Sequence, residues 1–361
     1  MKILEITYNL RSGGAERFVV DLSNQLSNSN DITLFAIKDD EPEGSPFYKK
    51  DLNAKVLYKS IYVSFYNIYT FFKLYQFIKK ESAEVVHFNG ENIIFFFILP
   101  ILFYRKCKYF ETQHNDATFI KNPFFRFLYK VIYKSGLVKT AAISKYNLQT
   151  IKKTFALKEI ELIVNGRDRT VVSDRVSIVE SEINSYKNDP STLCFLHIAR
   201  CAKQKNQELL IKAFNKFSQQ NNAILLIIGV WLKSELGNQL KAMADKNIYF
   251  LGEKSNIADY LHCSDAFCLS SIYEGMPITL IEAFSQSCIP ISTPVSGSID
   301  YIIDGKTGFL SSGFEEKDYL ATLDRFVMNY KTINKDDLLQ LYKDNFSMEE
   351  CAKKYLNWFN K

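Results

Sequence analysis

The stretch 266–310, AFCLSSIYEGMPITLIEAFSQSCIPISTPVSGSIDYIIDGKTGFL, constrains the fold of this chain most tightly. Its apolar opening, Ala266-Phe267-Cys268-Leu269, predicts a strand buried on both faces, as in a parallel sheet. Gly275 then allows a tight turn, and Pro277 suits the first position of a helix. The spacing predicts a helix over 277–285 with Leu280, Ile281 and Phe284 inward. A short strand follows over 289–292, and then a polar loop.

Two carboxylates bracket the predicted helix start. Glu274 lies in the turn and Glu282 eight residues on. On a helical path eight residues turn through about 800°, which would put both on one side, about 12 Å apart. Between them, Ile278, Thr279 and Leu280 offer unpaired N–H groups and the positive end of the helix dipole, a seat for phosphate. Acids at both ends of a phosphate seat fit a ligand with hydroxyls on either side of a diphosphate, the chemistry of a nucleotide sugar. Two glutamates at this spacing alone describe an ordinary strand–helix junction equally well. The composite E-G-M-P-x-T-x-x-E-A, followed by C-I-P-I-S-T and D-G-K-T-G-F-L, is far more specific.

Strands and helices alternate through both halves of the chain. The first strand is expected over 2–7, then a loop from Tyr8 to Ser12, Gly13-Gly14 at a helix start, and a helix to about Leu26. A glycine pair between a strand and a helix is a phosphate-cradle arrangement, although the G-x-G-x-x-G dinucleotide fingerprint is absent. A strand follows over 31–37, an exposed loop over 39–45, and an aromatic helix over 68–80. Further strands are predicted over 84–88, with His87 at the carboxyl end, and over 108–112, with His114 just beyond. Ligands gather at such strand ends in doubly wound sheets, and His114 is the stronger candidate. Residues 171–190 are polar and weakly patterned, an expected hinge. A strand over 191–199 then leads to Arg200 and Lys205 around a loop, where two cations can hold a diphosphate. His197 lies within that strand and is expected in the core; His262 is given a structural place too.

In these motifs the chain resembles the retaining glycosyltransferases of the GT-B fold, family 4. The resemblance covers essentially the whole chain and is strongest over 195–310. It implies an α/β architecture of two Rossmann-like doubly wound domains facing a central cleft. Residues 1–170 would form the acceptor-binding domain, ending at Asn165-Gly166-Arg167-Asp168. Residues 190–346 would form the donor-binding domain, and the helix 347–361 would pack back on the first. It also implies that Glu274 meets the donor sugar, Glu282 the ribose hydroxyls, and Arg200 and Lys205 the diphosphate. His114 would sit near the transferred sugar, Gly13 and Gly14 would face the diphosphate, and Gly275, Met276, Pro277, Ile278 and Thr279 would line the donor. Four departures stand out: Ala199, Val230-Trp231 after Gly229, Ser287-Cys288, where glycine is usual at each place, and Asp300 where glutamate is usual.

At 361 residues there is room for two domains of ordinary size. The seven cysteines include no C-x-x-C pair or zinc spacing, which fits small core residues in a reducing compartment. The opening MKILEITYNL lacks the shape of a signal peptide. The longest apolar run, Ile93–Tyr104, is too short to span a bilayer and carries Pro100, so a buried helix is expected there. The net charge of +5 is uneven: residues 121–170 hold 11 Lys/Arg against 3 Asp/Glu. The segment 122–139, NPFFRFLYKVIYKSGLVK, is aromatic and basic without an acid, and fits either a core helix with solvated lysines or a helix on an anionic membrane face. Nucleic acid is not expected, because no stacking module accompanies the charge. D-x-D does not occur, which speaks against a metal-chelating transferase of the other common fold, and no metal is expected. No cofactor is expected beyond the nucleotide-sugar substrate.

The function expected from all this is transfer of a hexose or N-acetylhexosamine, from a UDP-sugar first and GDP-mannose second. The acceptor would be a glycan or a polyprenyl-diphosphate-linked sugar in surface polysaccharide assembly. The expected location is the cytoplasm, peripheral at the inner membrane face. A nucleotide-sugar-binding protein without catalysis is the alternative of another class.

Overall fold

The structure, a computed structural model, describes residues 1–11, 13–38, 48–61, 67–115, 117–230 and 235–361. The expected loop 39–45, Ser12 and Trp231 lie outside the described residues. The chain divides into two compact units. One comprises Met1–Asp168 with Phe346–Lys361, the other Arg169–Asn345.

In the first unit the strands are β1 (Lys2–Thr7), β2 (Asp31–Ala36), β3 (Leu57–Ser60), β4 (Val85–Asn89), β5 (Lys108–Gln113), β6 (Val138–Ala142) and β7 (Glu161–Leu162). They form one sheet in the order β3-β2-β1-β4-β5-β6-β7, each pair parallel. In the second unit they are β8 (Leu193–Ile198), β9 (Ala223–Ile228), β10 (Ile248–Gly252), β11 (Ala266–Leu269), β12 (Ile289–Ser292) and β13 (Phe309–Leu310). Their order is β10-β9-β8-β11-β12-β13, again parallel throughout. Both are doubly wound sheets, as the alternation of apolar runs and helical patterns predicts. In each, the order reverses beside the first strand, between β1 and β4 and between β8 and β11. Loops leaving neighbouring strand ends diverge there and leave room for a ligand.

Several local expectations are corrected. The helix over 122–139 stops at Lys134, because Gly136 takes a left-handed φ of 71° and β6 begins at Val138. The apolar run 93–104 is two short helices, Ile93–Phe96 and Ile98–Phe103, with Leu102 and Phe103 exposed. The stretch expected as a hinge contains a helix, Val176–Tyr186, which buries Val179 and Ile183. The polar loop after Ser292 contains the helix Ser296–Tyr301. His87 is the third residue of β4 rather than its end, and is fully buried. Ser287, where glycine is usual in the resembling family, does adopt a left-handed conformation, φ 56°.

The final helix, Met348–Asn360, lies on the first unit's central strands. Tyr355, Trp358 and Phe359 are buried and ring His87 at centroid distances of 5.2, 6.3 and 5.2 Å. Trp358 and Phe359 also pack on Phe110 of β5, at 4.7 and 4.9 Å. Gly166 is needed where this helix begins: a Cβ there would stand 2.6 Å from Cys351 Cβ and 3.0 Å from Met348 Cα. Trp358→Ala is expected to destabilise this unit by about 3–5 kcal/mol, the usual loss for emptying a buried aromatic site. Urea unfolding followed by circular dichroism measures it, and an unshifted midpoint would mean the helix contributes little to the core.

Candidate functional site

In the second unit, β8 ends at Ile198 and the chain enters the loop Ala199–Asn206. Beside it, β11 ends at Leu269 and enters the loop 270–277. Gly229, at the end of β9, has φ 151°, and a Cβ there would lie 1.9 Å from the Ala199 carbonyl oxygen. Close approach of these two strand ends therefore requires glycine.

The two loops are laced together. Ile272 N donates to the Gln204 carbonyl (2.8 Å), Gln204 Nε2 to the Tyr273 carbonyl (3.0 Å), and Ser270 Oγ to the Lys205 carbonyl (2.8 Å). The central contact is an ion pair. Lys205 Nζ meets Glu274 Oε1 at 2.5 Å, with side chains 20% and 10% exposed, and Ser271 Oγ donates to the same oxygen at 2.7 Å. Arg200 lies exposed in the first loop, and its carbonyl accepts from Gln207 Nε2 (2.9 Å). The structure therefore brings Lys205 and Glu274 into contact and places Arg200 in the same loop as Lys205.

The helix after the second loop runs over Ile278–Ser285, with Pro277 as its N-cap rather than its first residue. Glu274 lies outside the helix, so the helical count relating it to Glu282 does not apply. Thr279 is half-buried at the first turn and Glu282 is buried in the helix middle. Gly275, Met276 and Pro277 are buried and held from behind. Ser296 Oγ donates to the Gly275 carbonyl (3.2 Å), and a Cβ on Gly297 would come within 2.9 Å of Met276 Cα. Gln204, Ser271, Ser296 and Gly297 thus shape the loops. None of them stands out in the sequence, because serine, glutamine and glycine announce nothing until the fold sets them beside a partner.

In the first unit, Gly13 caps the helix Gly14–Leu26, with extended backbone and its carbonyl accepting from Arg17 N (3.0 Å). Phe18, one turn on, packs edge-on against His114, centroids 5.3 Å apart. His114 follows β5 directly and is buried, with Nε2 3.2 Å from Asn89 Oδ1 at the end of β4. Burial and the nearby His87 push its pKa down to about 3, so the ring is neutral at physiological pH. His87 itself serves the core, with Nδ1 2.8 Å from Glu5 Oε2 and Nε2 2.8 Å from Thr112 Oγ1. His197 is core too: Nδ1 donates to the Cys268 carbonyl at 2.9 Å, and burial lowers its pKa to about 4. Glu111 was not anticipated. It is buried on β5, its pKa is raised to about 8 by burial, and it accepts from Tyr133 Oη at 2.7 Å.

Taken singly, the second unit offers cations and a helix start beside the switch point of its sheet, and the first offers a glycine loop and a neutral imidazole beside its own. Two family models match: "Glycosyltransferase Family 4" over residues 12–171 and "Glycosyl transferases group 1" over 179–337. A Campylobacter jejuni relative, the GalNAc-α-(1→4)-GalNAc-α-(1→3)-diNAcBac-PP-undecaprenol α-1,4-N-acetyl-D-galactosaminyltransferase, is 26% identical over 93% of this chain and 91% of its own. The capsular polysaccharide biosynthesis glycosyltransferase CapH of Staphylococcus aureus is 23% identical over 99% of both chains. The crystal structure of Anabaena HepE in complex with UDP and glucose superposes with a TM-score of 0.82 at 13% identity, over 100% of this chain and 99% of that one. The two parallel sheets, the strand orders and these matches together make the chain a glycosyltransferase of the GT-B fold, belonging to the family 4, group 1 glycosyltransferases.

Proposed function

We propose that this enzyme is a retaining glycosyltransferase that moves a hexose or N-acetylhexosamine from a UDP-sugar to a polyprenyl-diphosphate-linked glycan in surface polysaccharide assembly. The observation that carries the reading is the Lys205–Glu274 pair at the β8/β11 strand ends, with Arg200 on the same loop. In the transfer, the bond from the anomeric carbon to the diphosphate oxygen breaks and its electron pair leaves with the diphosphate. An acceptor hydroxyl forms the new bond to the anomeric carbon, and its proton passes to the departing diphosphate. Negative charge grows on the diphosphate, and preorganised cations with helix N–H groups stabilise it without reorganising. Lys205, Arg200 and the first turn after Pro277 supply these groups. Glu274, fixed by Lys205 and Ser271, positions a sugar hydroxyl. Glu282, buried one turn into the helix, receives the ribose. Relatives named for undecaprenol-linked and capsular substrates, and a structural neighbour holding UDP and glucose, support the acceptor and the nucleotide.

A thermal-shift panel of UDP, GDP, ADP and their sugars tests the donor reading. A ligand at 100 times its Kd adds about 2.7 kcal/mol to folded stability. UDP and UDP-sugars are expected to raise Tm, and Glu282→Ala to abolish most of that rise. A rise unchanged in the variant would overturn the ribose contact, and a rise with GDP alone would overturn the UDP assignment.

The lipid-linked acceptor fits a surface on the first unit. The helix Pro123–Lys134 buries Tyr129, Ile132 and Tyr133 and leaves Phe124, Phe127 and Val131 exposed among Arg126, Lys130 and Lys134. Apolar side chains rimmed by cations, with no acid on the helix, suit an anionic bilayer surface. No helix among the described residues is long and apolar enough to cross a membrane. The protein is expected to sediment with phosphatidylglycerol-containing vesicles and less with phosphatidylcholine vesicles, and the double variant Phe124→Ser/Phe127→Ser to stay in the supernatant. Equal binding of wild type and variant would exclude this helix as the contact.

A further inference from the structure

A row of buried polar side chains crosses the first unit's sheet at its switch point. Glu5 on β1 stands in register with His87 on β4, and Asn89 lies two residues further along on the same face. Glu5 Oε2 is 2.8 Å from His87 Nδ1 and 2.7 Å from Asn89 Nδ2. A carboxylate oxygen accepts, so both of these nitrogens donate to it. The remaining partners agree. With its proton on Nδ1, His87 accepts at Nε2 from Thr112 Oγ1 (2.8 Å), and Thr112 accepts from Tyr355 Oη (2.9 Å) on the final helix.

The donor role of the Asn89 amide nitrogen fixes the other end of that side chain. Its oxygen, Oδ1, must face His114, 3.2 Å from Nε2. An amide oxygen only accepts, so the hydrogen of this ring sits on Nε2. The ring is neutral because burial disfavours its charged form. A neutral imidazole with its hydrogen on Nε2 carries a lone pair on Nδ1. That nitrogen is buried and meets no hydrogen-bond donor among the described residues. Buried acceptors are nearly always paired, so this one, beside the strand ends where ligands gather, is open to a donor.

We propose that Asn89, locked by Glu5, is a positioning residue that fixes His114 as its Nε2–H tautomer and so presents Nδ1 as the acceptor for a sugar hydroxyl. The sugar rests on the transferase reading above. The tautomer does not, and stands on the hydrogen bonds and the burial of the ring. The hydroxyl has two possible sources, the donor sugar and the acceptor glycan.

The test is a nitrogen–proton correlation spectrum of the full chain carrying 15N-histidine. The sequence has only four histidines, so His114 is assigned by comparison with His114→Gln. The wild type is expected to show the Nε2–H pattern. Asn89→Leu should lose it, giving a mixture or the opposite tautomer, while Asn89→Asp, which keeps an accepting oxygen, should retain it. A wild-type Nδ1–H pattern would overturn the proposal without any variant, and so would an unchanged pattern in folded Asn89→Leu. The ligand arm adds either a nucleotide sugar or a nucleotide-free acceptor glycan. Movement of the Nδ1 resonance with one of them upholds the contact and names its source. A donor that raises Tm, given together with saturating glycan, yet leaves Nδ1 unmoved would overturn it. A wild type that transfers nothing but shows the Nε2–H pattern would reject the transferase reading and leave the Asn89 assignment standing.

Discussion

The second unit's two strand-end loops are joined by one ion pair at the place where its sheet reverses order. β8 and β11 are neighbours, but their loops lead to helices through different connections, and nothing in a parallel sheet holds such loops together. Lys205 and Glu274 do, reinforced by Ser271 and by the Gln204 and Ser270 bonds to the opposite loop. Removing two charges from water is costly, and their attraction offsets this only with good geometry and further hydrogen bonds. Here both carboxylate contacts fall on a single oxygen and the lysine side chain remains a fifth exposed. An ammonium has three N–H donors, so in the proposed reading Lys205 can face a diphosphate while keeping its bond to Glu274.

The first unit solves a related problem with neutral and hydrogen-bonded groups. Its switch point is filled by Glu5, His87, Asn89 and Thr112, capped by Tyr355 from the end of the chain. The final helix is therefore more than a lid over apolar surface, since it closes the polar row as well as burying three aromatic side chains. The same row ends on His114, whose Nδ1 is left without a donor, as is Glu5 Oε1 at the row's other end. Structural demand and ligand demand meet at Asn89, whose two ends serve one each.

The sheets were legible because parallel strands buried on both faces read as unbroken apolar runs. Ala266–Leu269 and Ala223–Ile228 have no other plausible place. Short helices were less legible: Ser296–Tyr301 carries serines and an acid where a helix would show a stripe, and the Val176, Val179, Ile183 stripe of Val176–Tyr186 is interrupted by serines and acids. His87 was misplaced by only two residues, yet in a strand that separates a ligand-facing end from the core. The candidate site was readable as a set of charged residues but not as an arrangement. Lys205 and Glu274 lie 69 residues apart, and only the sheet order makes them neighbours. The backing groups Ser271, Gln204 and Gly297 acquire meaning only from that contact.

In the proposed reading, Lys205 serves the departing diphosphate while Glu274 holds the sugar. This division of roles is tested most directly by transfer of a radiolabelled sugar from UDP to an undecaprenyl-diphosphate-linked acceptor, comparing wild type with Lys205→Gln and Glu274→Gln. A charge-assisted hydrogen bond worth about 1.5–3 kcal/mol corresponds to about 10- to 150-fold in rate. The account predicts that both variants fold, and that each loses at least that much in kcat/KM, with Lys205→Gln losing it mainly in kcat. Full activity in either folded variant would contradict it.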